Sequence, residues 1–126
     1  MNRTYRILLI EDNPASSMFY QKHLEAKGYE TIVASTGSEG LTLSRQEKPD
    51  LILLDLLLPN IDGWKVCRML KYDRDLKPIP VAILTSRDTE EAAEMAKTCG
   101  ADAFLLKTTR IEIVLDVIQK LLEKTQ

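Results

Sequence analysis

Short apolar runs alternate with segments of helical spacing along the whole chain. The runs are Tyr5–Ile10, Thr31–Ala34, Leu51–Leu54, Val81–Leu84 and Ala103–Leu106, most of them rich in Ile, Val and Leu. Runs without polar alternation suit strands buried on both faces, as in a parallel sheet covered by helices. Thr31–Ala34 is the weakest of the five.

Helical punctuation fills the gaps. Asn13-Pro14 supplies an N-cap and a proline at the first helical position, and Gly28 marks the stop. Thr89 or Asp88 caps a helix through AEMAKTC that Gly100 ends. In the last segment Ile111, Val114, Val117, Ile118, Leu121 and Leu122 recur at three- and four-residue steps, one apolar stripe on a polar helix. The segments around Leu41 and Trp64–Leu70 fit helices less clearly.

Strands alternating with helices predict an α/β fold, a doubly wound five-stranded parallel sheet with helices on both faces. Crossovers are right-handed, so both faces are covered only if the strand order reverses, and the common order is 2-1-3-4-5. No linker, repeat or low-complexity stretch divides the chain, so residues 1–126 are expected to form a single domain.

Composition narrows the function without naming it. The chain is 44% hydrophobic and 29% charged, as in a globular domain, and its net charge of -2 argues against nucleic acid or an anionic membrane as partner. Cys67 and Cys99 have neither C-x-x-C spacing nor a histidine cluster, which suggests two buried thiols rather than a metal site or disulfide framework. The N-terminal apolar run is too short for a signal peptide, and no stretch is long enough to span a bilayer. A cytoplasmic location follows as an expectation.

In open α/β sheets ligands bind beyond the carboxyl ends of the strands, near the point where strand order reverses. There the sequence places Glu11 and Asp12 after the first strand, Asp55 after the third, Thr85 after the fourth and Lys107 after the fifth. Singly, each has a plainer account: a cap, a turn residue, a solvated charge. Jointly they do not, because a carboxylate directly after LILL is costly unless a cation offsets it, and one lysine cannot neutralise three acids. Oxygen ligands without Cys or His point to Mg²⁺. Asp55 then reads as nucleophile, Lys107 as charge clamp and Thr85 as hydroxyl donor to a phosphoryl oxygen.

The motifs ILLIEDN, LILLDLLLPNIDG, VAILTS and GADAFLLK, in this order, closely resemble the receiver domain of two-component response regulators, of the single-domain chemotaxis type. The resemblance covers the chain from about Arg6 to Lys124. It implies the flavodoxin-like receiver fold with five helices, and phosphorylation of Asp55 by a histidine kinase or phosphotransfer protein. It also implies that Mg²⁺, with Mn²⁺ as the substitute, is held by Asp12, Asp55 and the Leu57 backbone carbonyl, Glu11 acting through water. Thr85 matches the switch hydroxyl, Lys107 the phosphoryl-contacting lysine and Phe104 the aromatic that couples to output. Pro59 and Gly63 match the turn after the third strand. Output would pass to a downstream protein through helix 4, strand 5 and helix 5, from a monomeric signalling protein rather than an enzyme.

Departures from the family pattern bear on rates and output geometry. Proline usually follows the family lysine, often through a cis peptide; here Thr108 follows Lys107, and a non-proline cis bond costs about 2.5–4 kcal/mol, so trans is expected. Phe104 stands where Tyr is frequent, Ser86 where Ala is, and Arg87 lies near enough to alter access of water. Two other functions compete. A pseudo-receiver would have lost an acid, Thr85 or Lys107; a flavodoxin-like cofactor binder would carry a Ser/Thr/Gly-rich phosphate loop where this chain has acids. The single histidine, His23, reads as a surface or half-buried residue, Trp64 as packing at a helix start, and Glu90, Glu91 and Glu94 as a solvated face.

Overall fold

A computed structural model describes residues 3–58 and 62–124. Five strands, β1 Arg6–Ile10, β2 Glu30–Ala34, β3 Leu51–Leu54, β4 Val81–Thr85 and β5 Ala103–Leu106, form one parallel sheet in the order β2-β1-β3-β4-β5. The helices between and after them are α1 Pro14–Ala26, α2 Gly37–Glu47, α3 Gly63–Tyr72, α4 Glu90–Thr98 and α5 Ile111–Lys124. The predicted architecture and strand order are those observed, and every anticipated strand is present within a residue at either end. Pro59 lies outside the described residues.

Successive side chains of a strand point to opposite faces, and here each face has its own core. Leu8, Ile10, Ile52, Leu54, Val81 and Ile83 join Val66 and Leu70 of α3 and Ala92 and Ala96 of α4 in one cluster. Ile7, Leu9, Leu51, Leu53, Ala82 and Leu84 join Tyr20 and Leu24 of α1 and Val114, Ile118 and Leu122 of α5 in the other. The central strands β1, β3 and β4 are therefore apolar at nearly every position: one run must serve two cores at once.

Helix ends follow the sequence signals. The Asn13 side chain accepts from the Ser16 N–H at 3.1 Å with Pro14 at the first helical position, Thr36 caps α2, Asp62 caps α3 and Thr89 caps α4. Gly28 and Gly100, just beyond α1 and α4, have φ of 91° and 86°, the left-handed region in which a side chain is strained. Trp64 is buried at the start of α3, and Glu90, Glu91 and Glu94 are exposed.

Candidate functional site

The carboxyl ends of β1, β3, β4 and β5 lie side by side because those strands are neighbours in the sheet. The ladder runs past the assigned strand ends: Asp55 N–H donates to the Ile10 carbonyl at 3.0 Å, and Glu11 N–H to the Ala34 carbonyl at 2.9 Å. Both acids thus keep strand geometry, and alternation aims them, like Leu53 and Leu9, toward the face covered by α1 and α5. One carboxylate oxygen from each of Glu11, Asp12 and Asp55 lies within 4.8 Å of the others.

Lys107 enters this group from the end of β5. Its Nζ donates to a Glu11 carboxylate oxygen, to Asp55 Oδ2 at 3.2 Å and to Ser16 Oγ, in the first turn of α1, at 3.3 Å. Glu11 and Asp55 are 2% and 6% exposed, whereas Asp12 is exposed, so the cluster is a buried floor with one acid at its rim. Burial raises the Glu11 pKa; the hydrogen bond from Lys107 works against it and the Asp55 charge with it. Burial pulls the Lys107 pKa down, but the hydrogen bond to Glu11 and the charges of Asp55 and Glu11 outweigh it and leave it raised.

The other expected residues stand close by in different roles. Thr85 is fully buried and continues the row of Val81 and Ile83, toward the α4 side. Its Oγ1 accepts from the Arg87 N–H at 3.2 Å, and its carbonyl accepts from the Lys107 N–H at 2.8 Å, so β4 and the lysine are tied through backbone. Leu57 N–H donates to Asp55 Oδ1 at 3.2 Å and holds that carboxylate in a tight turn. Phe104 lies further back on β5, opposite Ile83, half-buried against the cluster under α4. The described peptide bonds are all trans, Lys107–Thr108 included.

One participant, Ser16, was not evident in the sequence. Ser16 reaches Lys107 across 91 residues of chain; laying the first turn of α1 over the sheet edge would have exposed it as a candidate. Gly63 does more than shape a turn. A Cβ there would stand 2.5 Å from Leu56 Cα, 2.8 Å from the Leu56 carbonyl oxygen and 2.9 Å from that of Asp55. The start of α3 rests directly on the backbone that carries Asp55.

Three carboxylates against one ammonium leave uncompensated negative charge, and the donors are oxygens, with no thiol or imidazole among them. That set fits a hard divalent cation of the Mg²⁺ kind.

Residues 7–119 match the family model of the response regulator receiver domain. The chain is 35% identical over 117 residues to protein PilH of Pseudomonas aeruginosa, an alignment that covers 93% of this chain and 97% of that protein. It is 34% identical over 119 residues to the polar-differentiation response regulator DivK of Brucella ovis, covering 94% and 97% respectively. Among solved structures, the signal receiver domain of a signal transduction histidine kinase from Syntrophus aciditrophicus superimposes with a TM-score of 0.90. There the identity is 33%, with 96% of this chain and 92% of that one covered.

Proposed function

The chain belongs to the response regulator receiver domains of two-component signalling, and from that membership we propose a phosphate-operated switch that takes a phosphoryl group onto Asp55. One observation carries the reading: a carboxylate almost wholly buried at a central strand end, flanked by Glu11 and Asp12 and held by one lysine. A purely structural Asp would not need that company.

In the proposed reaction an Asp55 carboxylate oxygen attacks the phosphorus of a phosphohistidine, the P–N bond breaks and the imidazole leaves. The Lys107 ammonium offsets charge on the phosphoryl oxygens. The Arg87 N–H occupies one lone pair of the Thr85 hydroxyl and leaves its proton to donate to a phosphoryl oxygen. Asp12, Asp55 and the Leu57 carbonyl would hold Mg²⁺, or Mn²⁺ in its place, with Glu11 acting through water; the ion supplies further neutralisation of phosphoryl charge. The added charge of about −1.5 to −2 then biases the surface of α4, β5 and α5, with Phe104 as the coupling side chain.

On this reading residues 1–126 act as one receiver domain. It is a monomeric, cytoplasmic signalling protein rather than an enzyme, served by a histidine kinase or phosphotransfer protein and read by a downstream protein. No described helix is long and apolar enough to cross a membrane. A pseudo-receiver that only binds partners is less well supported, since every acid, Thr85 and Lys107 are retained.

Incubation with acetyl phosphate and Mg²⁺, followed by intact mass, tests the proposal. Wild type should gain one phosphoryl group, and both Asp55→Asn and a chelator should abolish the gain. Undiminished labelling of Asp55→Asn would overturn the assignment.

A further inference from the structure

Cys67 and Cys99 are 32 positions apart, yet their sulfurs stand 2.9 Å from each other. Cys67 lies in the middle of α3 and is fully buried; Cys99 is the C-cap of α4 and 6% exposed. Cys67 Sγ also lies 3.7 Å from the Cys99 carbonyl oxygen, and Cys99 Sγ lies 3.3 Å from that of Ala96. Both are free thiols. A disulfide has an S–S length of about 2.05 Å, so these sulfurs have only about 0.9 Å to close.

We propose that Cys67 and Cys99 form a reversible intramolecular disulfide, with a peroxide as oxidant, joining α3 to the C-terminal end of α4. The chemistry assigns the sulfurs different parts. The hydrogen bond with Cys67 brings the Cys99 pKa down to about 7 against the opposing effect of burial, and backbone N–H groups assist. The same hydrogen bond, and then burial, push the Cys67 thiol far up. Cys99, the more exposed of the two, is the sulfur that a peroxide meets first.

Its sulfur attacks one peroxide oxygen, the O–O bond breaks, and the departing hydroxide takes a proton to become water. Cys99 is then a sulfenic acid. The Cys67 sulfur attacks the Cys99 sulfur, the S–O bond breaks, and the second hydroxide leaves as water with the Cys67 proton. Two thiols and one hydrogen peroxide yield one disulfide and two waters; sulfur is oxidised and peroxide oxygen reduced.

The bond would lie beside a polar tie already in place. Lys71, one turn further along α3, donates to Asp102 Oδ2 at 2.8 Å and to the Ile79 carbonyl at 2.9 Å, and Asp102 accepts from the Val81 N–H at 2.8 Å. Oxidation would thus make covalent an attachment between α3 and the α4–β5 turn that reduced protein makes by ion pair, sulfur hydrogen bonds and packing. That α4 belongs to an output surface rests on the function proposed above; the bond itself does not.

The test uses the full chain, reduced, desalted and treated with hydrogen peroxide under native conditions. Residual thiols are then trapped with N-ethylmaleimide in denaturant and the intact mass is read. The expected product is a monomer lighter by two hydrogen atoms, without maleimide adducts, restored by dithiothreitol. Cys67→Ala and Cys99→Ser should each prevent it. Amide exchange across Glu90–Asp102 should slow on oxidation, in protein that has never met a phosphodonor. Recovery of two maleimide adducts on wild type, or of a crosslinked dimer, would overturn the disulfide. Unchanged exchange in oxidised protein would overturn the restraint on α4. Neither readout depends on phosphate uptake, so failure of Asp55 to react leaves this inference standing.

Discussion

Glu11 is ionisable, buried and paired at once, and its titration is therefore linked to folding. Its folded pKa is raised above the ordinary 4.5 by burial first, against the pull of Lys107. The folded state then holds the proton more firmly than the unfolded chain. That contribution to stability is fully present below pH 4.5 and is lost as pH rises through the raised folded value. Glu11→Gln cannot ionise and keeps an oxygen to accept from Lys107. In protein stripped of metal with EDTA, the melting temperature of Glu11→Gln relative to wild type should therefore climb as pH is taken from about 4.5 toward neutrality. A gap that stays constant over that range would show that Glu11 is not the group responsible. Glu11 and Asp55 were legible because each directly follows an apolar run. The sequence did not show Ser16, nor that Cys67 meets Cys99, since such pairs are joined only by the tertiary fold and have no local periodicity to announce them.

At the scale of elements, the legibility of β3 and β2 followed their burial. LILL of β3 is wholly buried and unmistakable, whereas β2 lies at the sheet edge, begins at the exposed Glu30 and is only half-buried through Thr31, Ile32 and Val33. An edge strand faces solvent along one side and need not be apolar throughout, so its pattern is diluted. Caps carried their own signals, as Asn13-Pro14 and Gly28 show. The contact between α3 and the β3 loop carried none, because a glycine in sequence does not say what stands opposite its α-carbon. At Gly63 it is backbone, which cannot swing aside as a side-chain tip can. Gly63→Ala should accordingly cost about 1–3 kcal/mol in urea unfolding, the usual range for overpacking. It should also slow phosphoryl uptake from acetyl phosphate, because the displaced backbone carries Asp55. Stability and uptake both equal to wild type would mean that the α3 start and the loop can separate freely.

For the molecule as a whole, the charge cluster sets a cost that only assembly creates. Glu11, Asp12 and Asp55 are brought together by β1 and β3, with Lys107 alone among the described residues to offset them. A cation that binds the assembled cluster and not the unfolded chain stabilises by about 2.7 kcal/mol at a hundredfold excess over its dissociation constant. Mg²⁺ should thus raise the wild-type melting temperature, measured against EDTA at matched ionic strength. Asp12→Asn should melt above wild type in EDTA and gain less from Mg²⁺. If wild type gains nothing and the variant is no more stable in EDTA, the acids do not act as one site. The division into two cores has a consequence of another kind. Neighbouring residues of one strand, such as Leu53 and Leu54, pack into different clusters among the described residues. Changes more than about 7–10 Å apart and without shared partners act independently on stability. Over evolutionary time the layer under α3 and α4 can therefore drift without compensation in the layer under α1 and α5. Covarying pairs among relatives should fall within one row of alternate residues, seldom between rows.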